Sequence, residues 1–237
     1  MTHSFHTALP VVICLFLSAC GGGDAGNKTT LPPSDGTVSS TASFPISSAL
    51  TAYQQAAHNY TLHATDTAGA SYTMSFTQTP QASVAFEGQL ASATRIDAVI
   101  TKAGAFWDQS SVTQYFQSSP YLEIGQVGMG TGTYYVDDIS VPRYLPTTAK
   151  VNDSGALNNI TVYAGPGKSL IVGHQTVLWR VMPDTLSTAR LCITILSTPV
   201  SGPSFSEADC FRMDTSGNVL GITIDLPVSD TETLLFR

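Results

Sequence analysis

The 237-residue chain has room for one good-sized domain or two small ones, and at 43% hydrophobic, with aromatics spread along its length, it is not a disordered sequence. Charged side chains make up only 11%, with ten Lys and Arg in total and a formal charge of −7. Nucleic-acid binding is excluded on that balance, and so is a polybasic patch for anionic lipid, because both need clustered cations.

Taken in chain order, the first feature is "VVICLFL", residues 11–17, an uninterrupted apolar run. It is far short of the ~20 residues that span a bilayer as a helix. It has the length of a signal-peptide core, and the small residues Ser18, Ala19, Cys20 and Gly21 follow it, as a signal peptidase requires. The phrase Leu17-Ser18-Ala19-Cys20 resembles the lipobox of bacterial lipoproteins. That resemblance implies a signal peptide over 1–19, acylation of Cys20, and a membrane held through the lipid anchor. Each buried methylene of such an anchor contributes ~0.8 kcal/mol, so several chains make attachment effectively permanent. With Gly21 rather than Asp after the cysteine, the resemblance further implies delivery to the outer membrane of a bacterial cell envelope, on its periplasmic or surface face.

Residues 20–45 are Gly, Ser, Thr and Pro with hardly an apolar side chain, and read as a flexible tether that stiffens at Pro32-Pro33. A single β-rich domain is then expected over 46–237. It opens with a helical stripe, Ile46, Leu50, Tyr53 and Ala57, with Ser47 or Ser48 placed to cap it. From Tyr60 onward the pattern is one of short β-prone runs between turn residues. "YTLHAT" and "SYTMSFTQ" flank "DTAGA" as a hairpin, "RIDAVITK" alternates, and "TYYVDDISV" follows the glycine-rich "GMGTG". "NITVYA", "SLIVGHQTVLWRVM", "TARLCITILS", "SFSEADCFRM", "NVLGITIDL" and "TLLF" then succeed one another across short polar turns. "TVLWRVM" is apolar on both parities, which predicts cover on both faces, with Trp179 in the core. The fold class is mainly β: an antiparallel meander forming a curved sheet or a sandwich, with one N-terminal helix. Within it "AKVNDSGAL" and "VMPDTLSTA" resemble a loose group of uncharacterised proteobacterial envelope lipoproteins, a likeness that implies no activity.

Cysteine usage tests the register. Cys14 lies in the signal segment and Cys20 at the lipobox, leaving Cys192 and Cys210 as a pair in the domain. In an oxidising compartment such a pair predicts a disulfide. Opposing Cys192 to Cys210 across a hairpin centres the turn on Ser201, inside "TPVSGP" where the turn residues fall independently. The same register sets Leu191 against Phe211, a favourable pair. It also sets Arg190 against Arg212, which needs Asp184, Glu207 or Asp214 nearby.

Motifs that carry chemistry are scarce. "AGPGKSL" at 164–170 lacks the first glycine of a phosphate loop, Val162 standing there, and reads as a hairpin turn. "DTSGN" at 214–218 reads as a turn and not a calcium loop. Asp137 and Asp138 point to opposite faces of any strand that holds them. His58, His63 and His174 show no metal-ligand spacing, with His58 expected at the helix C-terminus, and no G-x-S-x-G elbow is present. No metal or cofactor is called for. The least regular region carries Phe106, Trp107, Tyr115, Phe116 and Tyr121, the aromatics best suited to a ligand surface. The leading expectation is a non-enzymatic envelope module working through protein partners. A carrier or receptor for an apolar or glycan ligand is the alternative, ahead of an unrecognised hydrolase. A deep apolar cavity favours the carrier, a polar cleft with a His near a carboxylate the enzyme, and a filled core the interaction module.

Overall fold

A computed structural model describes residues 40–118, 121–128, 134–137, 144–229 and 232–237. The signal segment, Cys20 and the tether up to residue 39 lie outside the described residues, as do Asp138 and the side chains of Tyr121 and Asp137.

The described chain runs β1 (Ser43–Phe44), α1 (Ile46–Gln54), β2 (His58–Thr65), β3 (Ser71–Phe86), β4 (Gln89–Lys102), β5 (Ala105–Ser118), β6 (Tyr121–Gly128), β7 (Tyr134–Asp137), β8 (Ala149–Lys150), β9 (Ser154–Tyr163), β10 (Ile171–Pro183), β11 (Thr188–Pro199), β12 (Phe205–Asp214), β13 (Val219–Ser229) and β14 (Glu232–Phe236). The protein is thus mainly β, antiparallel, with one helix, as the sequence predicts. β1 pairs with β8, and every other strand belongs to one twelve-stranded sheet in which each neighbours the next along the chain.

That sheet closes. His63 at one edge and Arg237 at the other exchange both backbone hydrogen bonds, at 2.9 and 3.0 Å, an antiparallel pairing of β2 with the end of the chain. Glu232 adds a side-chain link, its Oε1 accepting from the backbone N–H and the hydroxyl of Thr67. Of the two forms expected, the curved sheet is the one found, carried to a barrel that leaves no long free edge.

Tight turns make the meander possible. Glu87-Gly88 and Ala103-Gly104 both sit at positive φ in both residues, the two-residue hairpin geometry that matches strand twist. The β11–β12 register is the one the cysteines predict: Cys192 opposes Cys210, Leu191 opposes Phe211 and Arg190 opposes Arg212. The disulfide is formed, with Cα atoms 4.0 Å apart. "DTSGN" is a turn, Asp214 Oδ1 accepting from the backbone N–H groups of Ser216 and Asn218.

Eight strands already enclose an interior that side chains just fill, so a twelve-stranded barrel is too wide to be filled by its own walls. The helix supplies the remainder. Ile46, Ala49, Leu50 and Tyr53 join the main core cluster with inward residues of the barrel such as Met74, Ile96 and Ile224. The helix differs from its expected form at both ends. Pro45 is the N-cap and no side chain caps it; the Ser48 hydroxyl instead donates to the Pro45 carbonyl at 3.2 Å. At the other end α1 stops at Gln54, so Ala57 falls outside it and is exposed. The reason lies in the wall. Gln78 Nε2 donates to the carbonyls of Tyr53 and Ala56 at 2.8 and 3.1 Å, and the Thr94 hydroxyl donates to that of Gln54 at 3.1 Å. Inward side chains of β3 and β4 thus bond to carbonyls of the last helical turn, where the Tyr53 carbonyl also accepts the Ala56 N–H at 3.1 Å. His58 also reaches the Tyr53 carbonyl, at 3.0 Å, and stacks on its ring at 4.1 Å.

Candidate binding cavity

Strand alternation puts residues of one parity into the barrel, and their chemistry differs around the circumference. On β2–β4 and β13–β14 the inward residues are chiefly apolar: Leu62, Met74, Phe76, Ile100, Leu226 and Phe236 are all buried. On β5, β6 and β9–β12 polar side chains alternate inward instead, among them Gln114, Gln126, Asn158, Gln175 and Asp209, each less than 9% exposed.

Between this polar wall and the second face of α1 lies a cavity of about 160 Å³. An engineered apolar cavity of about 150 Å³ accepts benzene, so the space suits a single ring. Leu50, Leu157, Val177, Ile195 and Phe211 line it together with Gln114, Asn158 and Asp209. Two bulges shape it. In β6 the pairing with β5 slips between Gly125 and Glu123, and Leu122 and Glu123 both line the space. In β9 the pairing with β10 slips between Asn158 and Ala156, so that Leu157 and Asn158 do likewise. A regular strand turns adjacent residues to opposite faces; a bulge breaks that rule and re-aims a side chain.

Asp209 is the outlying group. It is 2% exposed, and neither carboxyl oxygen has a hydrogen-bond partner. Burial, reinforced by the Asp225 carboxylate, holds it well above the usual carboxylate range. It therefore retains its proton in weakly acid solution and offers the cavity an O–H donor beside a carbonyl acceptor. Asp225 is raised to about 6, by burial, against the opposing charges of Arg237 and Arg190. Burial above all, with the neighbouring Tyr60 and Asp209, raises the Tyr53 hydroxyl above the usual phenol range.

The aromatics singled out in the sequence do not converge. Phe106 is 66% exposed at the β4–β5 turn, and Trp107 next to it packs edge-on to Tyr72 at 5.4 Å. Tyr115 lies on the outside of the barrel, stacked at 4.1 Å on Phe86, while Phe116 is buried facing the other way. Phe86 gets there because β3 and β4 run on past the barrel and fold against its outer wall, where Glu87 pairs with Lys168 of the β9–β10 turn. Trp179 is core, packed so closely over Gly155 that a Cβ there would meet its Nε1 at 2.8 Å. His63 and His174 are exposed, and no histidine lines the cavity. Among the described residues no three His, Cys, Asp or Glu side chains are grouped to hold a metal ion. The cavity residues went unread in the sequence. The one available signal is Glu207 and Asp209 sharing a parity with Phe205, Phe211 and Met213 in one strand.

No protein-family model, no curated protein and no solved structure matches this chain.

Proposed function

We propose that the chain is an envelope lipoprotein, tethered through Cys20, whose barrel is a binding module for one compact ligand. The ligand is largely apolar and carries a hydrogen-bonding group. The observation behind this is the unpartnered, deeply buried Asp209 in a cavity that two bulges shape. A buried polar group without a partner costs about 1–3 kcal/mol, which a protein concerned only with stability removes by an apolar substitution. Its retention beside Gln114 and Asn158 fits a few fixed polar groups on an otherwise apolar surface, the usual build of a small-molecule site. This is the carrier reading, and the cavity's mainly apolar wall favours an apolar over a glycan ligand.

The test is native mass spectrometry with solvent extraction on the full chain purified from its own host's envelope. A co-purifying small molecule is expected, lost in Ile195→Phe, which fills the cavity, and reduced in Asp209→Asn. A bare protein, not stabilised by phenol or similar one-ring alcohols, overturns the reading and leaves a module that works through protein contacts.

A further inference from the structure

A second concavity, of about 310 Å³, lies outside the barrel over the outer faces of β11–β14. It is independent of the ligand cavity, since outward and inward side chains alternate along these strands. Its walls bring together Arg190 of β11, Arg212 of β12 and Arg237 at the end of the chain. The antiparallel register sets Arg190 directly across from Arg212 and sets Gly221 across from Arg212 on the other side. Gly221 leaves open space there, with no atom within 4 Å of where its Cβ would stand. Cys210 also lines it, and its crosslink to Cys192 fixes the two strands that carry the first two arginines.

Three of the protein's ten cations in one cleft of a chain with formal charge −7 need compensation. Part of it is internal. Asp184 Oδ2 accepts from Arg212 Nε at 2.7 Å and is itself tied to the Thr188 hydroxyl, so it orients that guanidinium rather than leaving a free carboxylate. Asp225 on β13 feels the charges of Arg237 and Arg190. Arg190 has only one long contact, Nη2 to the Pro183 carbonyl at 3.5 Å, and its buried Nε has no partner. Among the described residues that line the cleft, three are arginines and one, Asp184, is an acid. All three cations are Arg, whose planar fork matches the paired oxygens of a tetrahedral or planar oxyanion. Leu220 and Leu235 supply an apolar margin for whatever bears it.

We propose that this cleft binds a single phosphate-type oxyanion, free or carried on a small organic group, between Arg190, Arg212 and Arg237. An anion there gains charge-assisted hydrogen bonds, each about twice as strong as a neutral one.

The test is titration of the full chain with inorganic phosphate at constant ionic strength, followed by the NMR signals of the arginine Nε–H groups. Saturable shifts of Arg190 and Arg212 are expected. Arg190→Gln should weaken binding by about tenfold or more. Arg190→Lys, which keeps the charge and loses the fork, should fall between that variant and the parent. Arg95→Gln, at a remote exposed ion pair with Asp97, should leave it unchanged. A parallel titration with monomeric short-chain phosphatidylglycerol distinguishes the source: tighter binding than phosphate identifies a lipid headgroup, equal or weaker binding a soluble anion. Absence of saturable shifts, or equal affinity in Arg190→Gln, overturns the proposal.

Discussion

The two sides of the barrel face the same interior and are built on opposite principles. The wall of β2–β4 with β13–β14 is packed with apolar side chains, and its buried Gln78 and Thr94 both bond to carbonyls of α1. The wall of β9–β12 carries Asp209 without a partner and borders a cavity, and it alone is crosslinked, by Cys192–Cys210. Polar groups in the first wall complete the structure. In the second they stand open to a space, where a site gives up stability for the groups it displays.

If that contrast is right, the packed wall should be the more sensitive to truncation. Phe236→Ala, at a fully buried residue of the closing strand, should cost about 3–5 kcal/mol in urea unfolding. A loss below about 1 kcal/mol would show that the wall is not tightly packed. Replacing both cysteines by alanine should cost roughly 3 kcal/mol, given a loop of 18 residues. The cavity wall should loosen first, read as faster amide exchange on β11 and β12 than on β3 and β4.

Gln78→Ala should cost about 1–3 kcal/mol by removing its two hydrogen bonds to the Tyr53 and Ala56 carbonyls. If that cost is absent, α1 does not depend on the wall for its end.

The acids give a smaller effect of definite sign. Asp209 is raised in the fold and Asp225 is raised to about 6, whereas in the unfolded chain both ionise near about 4. Above about pH 4 the unfolded chain has released protons that the fold retains, so stability falls as pH rises through about 6 and beyond. Asp184 is shifted the other way, because its bonds to Thr188 and Arg212 outweigh its burial, so its contribution is lost as pH falls below about 4. Asp209→Asn should flatten the decline in melting temperature between pH 5 and 8, raising it at pH 8 while weakening ligand binding. A variant less stable at pH 8 than the parent would break the comparison. Smallest of all, Lys168→Ala at the exposed pair with Glu87 should change stability by no more than about 1 kcal/mol.

How much of this is legible in the sequence depends on the range of the interactions. The strands of the C-terminal half, their turns and the register of β11 with β12 follow from the chain alone. Alternation and turn residues are local properties, and a cysteine pair makes a long-range contact readable. The Arg190–Arg212 opposition was legible for the same reason, and so was the need for an acid such as Asp184. The extension of β3 and β4 is hidden although Glu87-Gly88 marks its turn, because Pro80 and the slip between Gln81 and Val84 break the alternation.

Everything that makes a site was decided by tertiary structure. Barrel closure joins His63 to Arg237, the helix ends where Gln78 and Thr94 meet it, and the outer cleft adds Arg237 to the opposed arginines. No periodicity links residues so far apart. The cavity is the space that twelve strands and one short helix leave unfilled, a volume set by the closure of the sheet and not by any segment of it.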